Sequence, residues 1–118
     1  MFNRPKVLSG NTYKFKFLDG NCFITVNKDC DGNLREVFLR TSGGESHLLE
    51  AIGRLTSIIL RKDLGHEIIV KHLAHINQDP IVSPLGKGFV KSIPDALAQV
   101  LLLEYENKKE KKNESFYS

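Results

Sequence analysis

A chain of 118 residues, 41% hydrophobic and 26% charged, can bury one modest core and has no room for a catalytic barrel beside it. Its net charge of +3, with acids and bases interspersed, favours small anionic ligands such as phosphates over a long nucleic-acid footprint. Cys22 and Cys30 are too few for a stapled secreted scaffold, no N-terminal stretch has signal-peptide form, and no apolar run reaches the ~18 residues needed to span a bilayer, so the expectation is a cytoplasmic protein with free thiols and no membrane contact.

The first third reads as strands. Tyr13, Phe15 and Phe17 alternate with Lys14 and Lys16, which puts three aromatics on one face and charge on the other. Asp19-Gly20-Asn21 makes a turn, and the apolar and β-branched pattern resumes over 22–26. A second turn through Asp31-Gly32 leads into a third strand over 34–41. The Asp and Asn cluster at Asp29, Asp31 and Asn33 has the look of a calcium loop, but the closing glutamate is missing and strands flank it, so it reads as a hairpin turn.

At Ser42 the period changes. Ser42 and Glu45 have capping-box spacing, and Leu48, Ile52, Leu55 and Ile59 follow at helical intervals, predicting a helix over 43–62 with those four as its apolar stripe. Gly65 breaks it, 67–76 reads as a shorter helix, and 77–91, with Pro80, Pro84, Gly86 and Gly88, reads as an ordered loop. The final helix spans 92–106. Its stretch 96–103 is apolar nearly all round, more than one small sheet is expected to cover, which predicts a homo-oligomer, a dimer or larger. The reading is therefore a single domain over 1–106 with a polar, flexible tail over 107–118. The fold class is α+β: an antiparallel sheet from the N-terminal third packed against two or three helices.

Two groups of residues are candidates for chemistry. Arg54, Ser57 and Arg61 share one helical stripe, and two guanidiniums with a hydroxyl suit a phosphate; the plain alternative is a solvated face on which Glu50 pairs with Arg54. At 92–95, Ser92 caps the last helix, Pro94 fits its first turn and Asp95 can return a capping hydrogen bond. A helix start preceded by Lys87, Phe89 and Lys91 can also receive an anion, with Phe89 offering a stacking face and Asp95 an acceptor for ribose hydroxyls or a base amine. Ser42-Gly43-Gly44 lacks the dinucleotide and Walker fingerprints. His72 and His75, without a third ligand at matching spacing, read as surface histidines. No metal, cofactor or catalytic constellation is expected.

Arg4-Pro5, Gly10-Asn11-Thr12-Tyr13-Lys14, Ile24-Thr25-Val26-Asn27, Glu36-Val37-Phe38, the run from Gly53 to Arg61 and Lys91-Ser92-Ile93-Pro94-Asp95 together resemble the TSCPD domain, over roughly 4–103. That domain is best known as the C-terminal module of cobalamin-dependent ribonucleotide reductases, which implies nucleotide recognition. The naming segment here reads K-S-I-P-D, so Ile93 replaces the cysteine and no thiol chemistry is expected there. More loosely, the Ser-x-Pro-Asp helix start with an aromatic and basic residues nearby looks similar to phage Thoeris anti-defence sponges, which sequester cyclic nucleotide or cyclic ADP-ribose signals. The resemblances imply a non-catalytic sponge for a small phosphate-bearing nucleotide, held between protomers in a bacterial cytoplasm, with no polymeric nucleic acid as partner. The alternative is an accessory or regulatory domain that docks on a reductase.

Overall fold

The computed structural model describes residues 3–117 apart from 19, 45 and 87, with side chains to residue 107. Three strands, β1 (Ser9–Phe17), β2 (Gly20–Lys28) and β3 (Leu34–Thr41), form an antiparallel sheet in the order β1-β2-β3. They are followed by α1 (Ser46–Arg61), α2 (His66–Leu73), a two-stranded ribbon of β4 (Ile81–Val82) and β5 (Phe89–Val90), and α3 (Ile93–Tyr117). The architecture is α+β, with a meandering N-terminal sheet and three helices, as the alternation and the turns predict. Among the described residues no helix is long and apolar enough to cross a membrane.

Alternation sorts the sheet into two faces. Tyr13 pairs with Ile24 and Phe15 with Cys22, while Ile24 pairs with Leu39 and Val26 with Val37; these side chains form the inner face and the floor of the core. At Gly10 a side chain would meet the carbonyl oxygen of Val26 at 2.0 Å, so only glycine lets β1 approach β2 there. The second turn is a hairpin loop organised by Asp29, whose carboxylate accepts the backbone N–H groups of Asp31 (3.0 Å) and Asn33 (2.9 Å) and pairs with Arg35 at 2.9 Å. The calcium reading is set aside by these bonds, because the oxygens a cation would need are turned to the backbone and to a guanidinium.

Several expectations are corrected. α1 begins at Ser46 rather than 43, and the Ser42 hydroxyl accepts the N–H of Asn21 near the start of β2; Glu45, the other half of the expected capping box, lies outside the described residues. The buried side of α1 is Leu49, Gly53, Thr56, Ser57 and Leu60, whereas Leu48 and Leu55 are more than half exposed. The helix lies along the free edge of β3 rather than on a sheet face. Its closest approach is therefore made by small residues: a Cβ on Gly53 would stand 3.2 Å from the Val37 carbonyl oxygen. The Ser57 hydroxyl accepts the Val37 N–H at 3.0 Å and donates to the Val37 carbonyl at 3.2 Å, satisfying edge groups that would otherwise invite another strand.

α2 ends at Leu73, two residues before His75, whose φ of 68° leaves the helical region. The expected loop at 77–91 contains the β4–β5 ribbon. Much of the apolar stretch of α3 is covered within one chain: Ala96, Leu97, Ala98, Val100 and Leu101 are buried while Leu102 stays exposed, under the sheet on one side and α2 and β5 on the others. α3 continues to Tyr117, through the residues expected as a tail. Near its middle, Glu104 is buried and accepts Asn11 (2.8 Å) and the Tyr13 hydroxyl (2.9 Å) while pairing with Lys28 at 2.7 Å. Burial works against the charge on Glu104, but Lys28, Asn11 and Tyr13 outweigh it and hold the carboxyl below the ordinary range.

Candidate functional site

The groove between α1 and β3 gathers Arg54, Ser57 and Arg61 around a volume of about 380 Å³, with Phe38 and Ile58 on its walls. The edge-on seating of α1 creates it, because one flank of the helix must look out over the open face of the sheet. Arg54 is 77% exposed and pairs with Glu50 one turn earlier at 2.6 Å, the plain alternative foreseen from the spacing. Such an exposed pair contributes only ~0.3–0.5 kcal/mol, so a multiply charged anion can draw the guanidinium away. Ser57 is buried, and its hydroxyl is spent on the backbone of Val37.

Arg61 reaches down to Glu36, a carboxylate only 1% exposed that also pairs with Arg4 at 2.6 Å and receives a bond from Asn27 at 3.4 Å. Desolvation opposes ionisation of Glu36, yet Arg4, Asn27 and Arg61 prevail and hold its carboxyl below the usual carboxylate value. With two guanidiniums on one carboxylate, the cluster keeps a cationic surplus. The Arg61 Nε is buried and has no hydrogen-bond partner among the described residues. Phe38, 54% exposed, presents its ring beside these cations.

The second group of expected residues lies elsewhere. Ser92 caps α3, its hydroxyl accepting the N–H of Asp95 at 3.2 Å. Asp95 is 3% exposed, and each of its oxygens accepts a backbone N–H at 2.8 Å, one from His75 and one from Lys91. The Ser92 cap is met, while Asp95, instead of returning a bond to Ser92, clamps both ends of the segment 76–90 through His75 and Lys91. Phe89 stands exposed on β5, Lys91 is half-buried, and Lys87 lies outside the described residues.

Ser92 and Ile93 line a separate cavity of about 660 Å³, walled chiefly by Phe17, Leu18, Leu48 and Ile52, with Gln78 and Asp79 as polar members. It shares no lining residue with the α1–β3 groove. Arg54, Ser57 and Arg61 are thus brought together, and the 92–95 segment is not brought to them within one chain. Cys22 also lines this cavity, where burial pushes its thiol up to about 11, leaving it protonated and unreactive near neutrality.

Periodicity alone passed over Phe38 and Glu36. A signal was present for Phe38 and for Phe23, which fall on the beat opposite to the buried residues of their strands: an aromatic out of phase with the core stands on the outer face of the sheet, where Phe38 is exposed and Phe23 half-buried. Glu36 carried none, because its partners Arg4 and Arg61 lie 32 and 25 residues away. His72 and His75 are exposed, and among the described residues no group of His, Cys, Asp and Glu could hold a metal ion. A family model described as the TSCPD domain matches residues 2–105. No curated protein and no solved structure matches the chain.

Proposed function

The chain belongs to the TSCPD-domain family, and from that premise we propose that it is a non-catalytic nucleotide-binding protein, a sponge that sequesters a small phosphate-bearing nucleotide such as a cyclic nucleotide or cyclic ADP-ribose. The observation that carries this reading is the α1–β3 groove, where Arg54 and Arg61 stand beside the exposed ring of Phe38. Guanidiniums match phosphate oxygens bidentately, and a ring face accepts any base by stacking. The hydroxyl in the groove, Ser57, is committed to Val37, so it supports holding a ligand rather than attacking it.

Thermal shift and calorimetry with AMP, ADP and cyclic ADP-ribose test this. Stabilisation by at least one of them is expected, with a tenfold or greater loss in Arg54→Ala, in line with the ~1.5–3 kcal/mol of a charge-assisted hydrogen bond. Ligand recovered after heat denaturation should be chemically unchanged. Absence of stabilisation by every nucleotide, or recovery of a hydrolysed product, defeats the proposal.

The family match favours a second reading, an accessory domain that docks on a cobalamin-dependent ribonucleotide reductase. Its surface would be the 660 Å³ cavity at Ser92 and Ile93, whose walls are chiefly apolar. Micromolar binding to such a reductase, lost in Ile52→Glu, would establish it in place of the sponge.

A further inference from the structure

We infer that the open face of the sheet continues the α1–β3 groove into a platform for two successive nucleobases, so that the preferred ligand is a dinucleotide rather than a mononucleotide or a one-base molecule such as cyclic ADP-ribose. The inference rests on the nucleotide-binding reading above and names its ligand class. Register places two cross-strand rows on this outer face: Thr12, Thr25 and Phe38 in one, and Lys14, Phe23 and Arg40 in the next. Phe23 and Phe38 are therefore diagonal neighbours on adjacent strands, a relation that sets their backbones ~7–8 Å apart. Sheets with surface aromatics on neighbouring strands stack two or three consecutive bases in this way.

The volumes agree with the register. The groove beside α1 opens into a second depression of about 610 Å³ lined by Phe23, Thr25, Arg40 and His47, and the two share Phe38, Leu39 and Glu50. Each ring has its own cation. The Arg40 guanidinium carbon stands 5.7 Å from the centre of the Phe23 ring, and Arg54 and Arg61 flank Phe38 in the groove. Lys14 stands exposed beside Phe23 in the same row. Two rings with cations between and around them complement two bases joined by phosphodiester, whereas one base would leave half of the surface uncovered. Glu50, at the junction, is the acidic member of both linings; once Arg54 turns to phosphate, its carboxylate becomes an acceptor for a base amine.

The test is calorimetry on the full chain with AMP, cyclic ADP-ribose, the linear dinucleotide pApA and cyclic di-AMP, at two salt concentrations. Either dinucleotide should bind at least tenfold more tightly than AMP. Preference between the linear and cyclic forms tells whether the natural source is a single strand or a small cyclic signal. Phe23→Ala should erase the advantage of two bases over one, while Phe38→Ala should weaken all four ligands by roughly ten- to a hundredfold. Phe23→Leu, which keeps the apolar bulk without the ring, guards against a folding defect and should behave like Phe23→Ala. A 2-aminopurine placed in the dinucleotide should be quenched by the wild type and not by the Phe23 variants. Dinucleotides binding no better than AMP, or an advantage that survives in Phe23→Leu, overturns the inference and leaves the nucleotide-binding reading standing. Failure of every ligand to bind removes both.

Discussion

The start of α3 and the flank of α1 both present charged side chains at helical positions, and they use them in opposite ways. At the start of α3 the charge is consumed: Asp95 is buried, with both oxygens on backbone N–H groups. Along α1 the charge remains available, since Arg54 is largely exposed and Arg61 shares Glu36 with Arg4. The segment with the stronger motif is thus the one most occupied with holding the fold, and the less conspicuous stripe keeps Arg54 at the surface.

The largest expected effect would break this contrast if it failed. Asp95→Ala leaves the N–H groups of His75 and Lys91 without acceptors and should cost about 2–4 kcal/mol in chemical denaturation. Nucleotide affinity in the folded fraction should stay within twofold of wild type. A stable variant that no longer binds would show that Asp95 touches ligand after all.

Glu36→Gln sharpens the comparison from the other side. Removing the charge that Arg61 and Arg4 share should cost about 1–3 kcal/mol and, by freeing Arg61, tighten anion binding severalfold. The same carboxylate sets a pH dependence. Burial works against its charge, but its partners hold its folded pKa below the ordinary 4.5, so around that pH the unfolded chain takes up the proton first. Its contribution to stability is complete above that ordinary value and is lost as pH falls through the lower folded value. Urea midpoints measured from pH 6 down to pH 3 should fall less steeply in Glu36→Gln than in the wild type. Equal slopes would mean that Glu36 is not held in its charged form.

The smallest effect on stability is expected at Arg54. Arg54→Ala breaks only an exposed pair with Glu50 and should change stability by less than about 0.5 kcal/mol, while phosphate-bearing ligands weaken tenfold or more. Loss of stability comparable to that of Asp95→Ala would place Arg54 among the structural residues and remove the contrast.

Local patterns carried much of the fold. The alternation of Tyr13, Phe15 and Phe17, the turn chemistry of Asp29 to Asn33, the helix start at Ser92 and Pro94 and the order of family segments are all legible in the chain, because each depends on neighbours two to four residues apart. The packing partners are not. The stripe Leu48, Ile52, Leu55 and Ile59 is a sound helical period, yet it is Gly53 and Ser57 that meet β3, since an edge-on contact rewards small residues and a spare hydroxyl over bulk. The apolar belt of α3 has the same appearance whether a second copy or the chain itself covers it, and only the placement of α2 and β5 shows how much of it the chain buries by itself. Asp95 could be read as a cap from its spacing to Ser92, but its bond to His75 spans 20 residues. By itself the sequence determined most of the elements and the family, through short-range periodicity and capping, but not the β4–β5 ribbon or the reach of α3 to Tyr117. Which charges are buried in pairs and which stay exposed was decided by tertiary structure, because burial and pairing depend on residues that the chain brings together only when it folds.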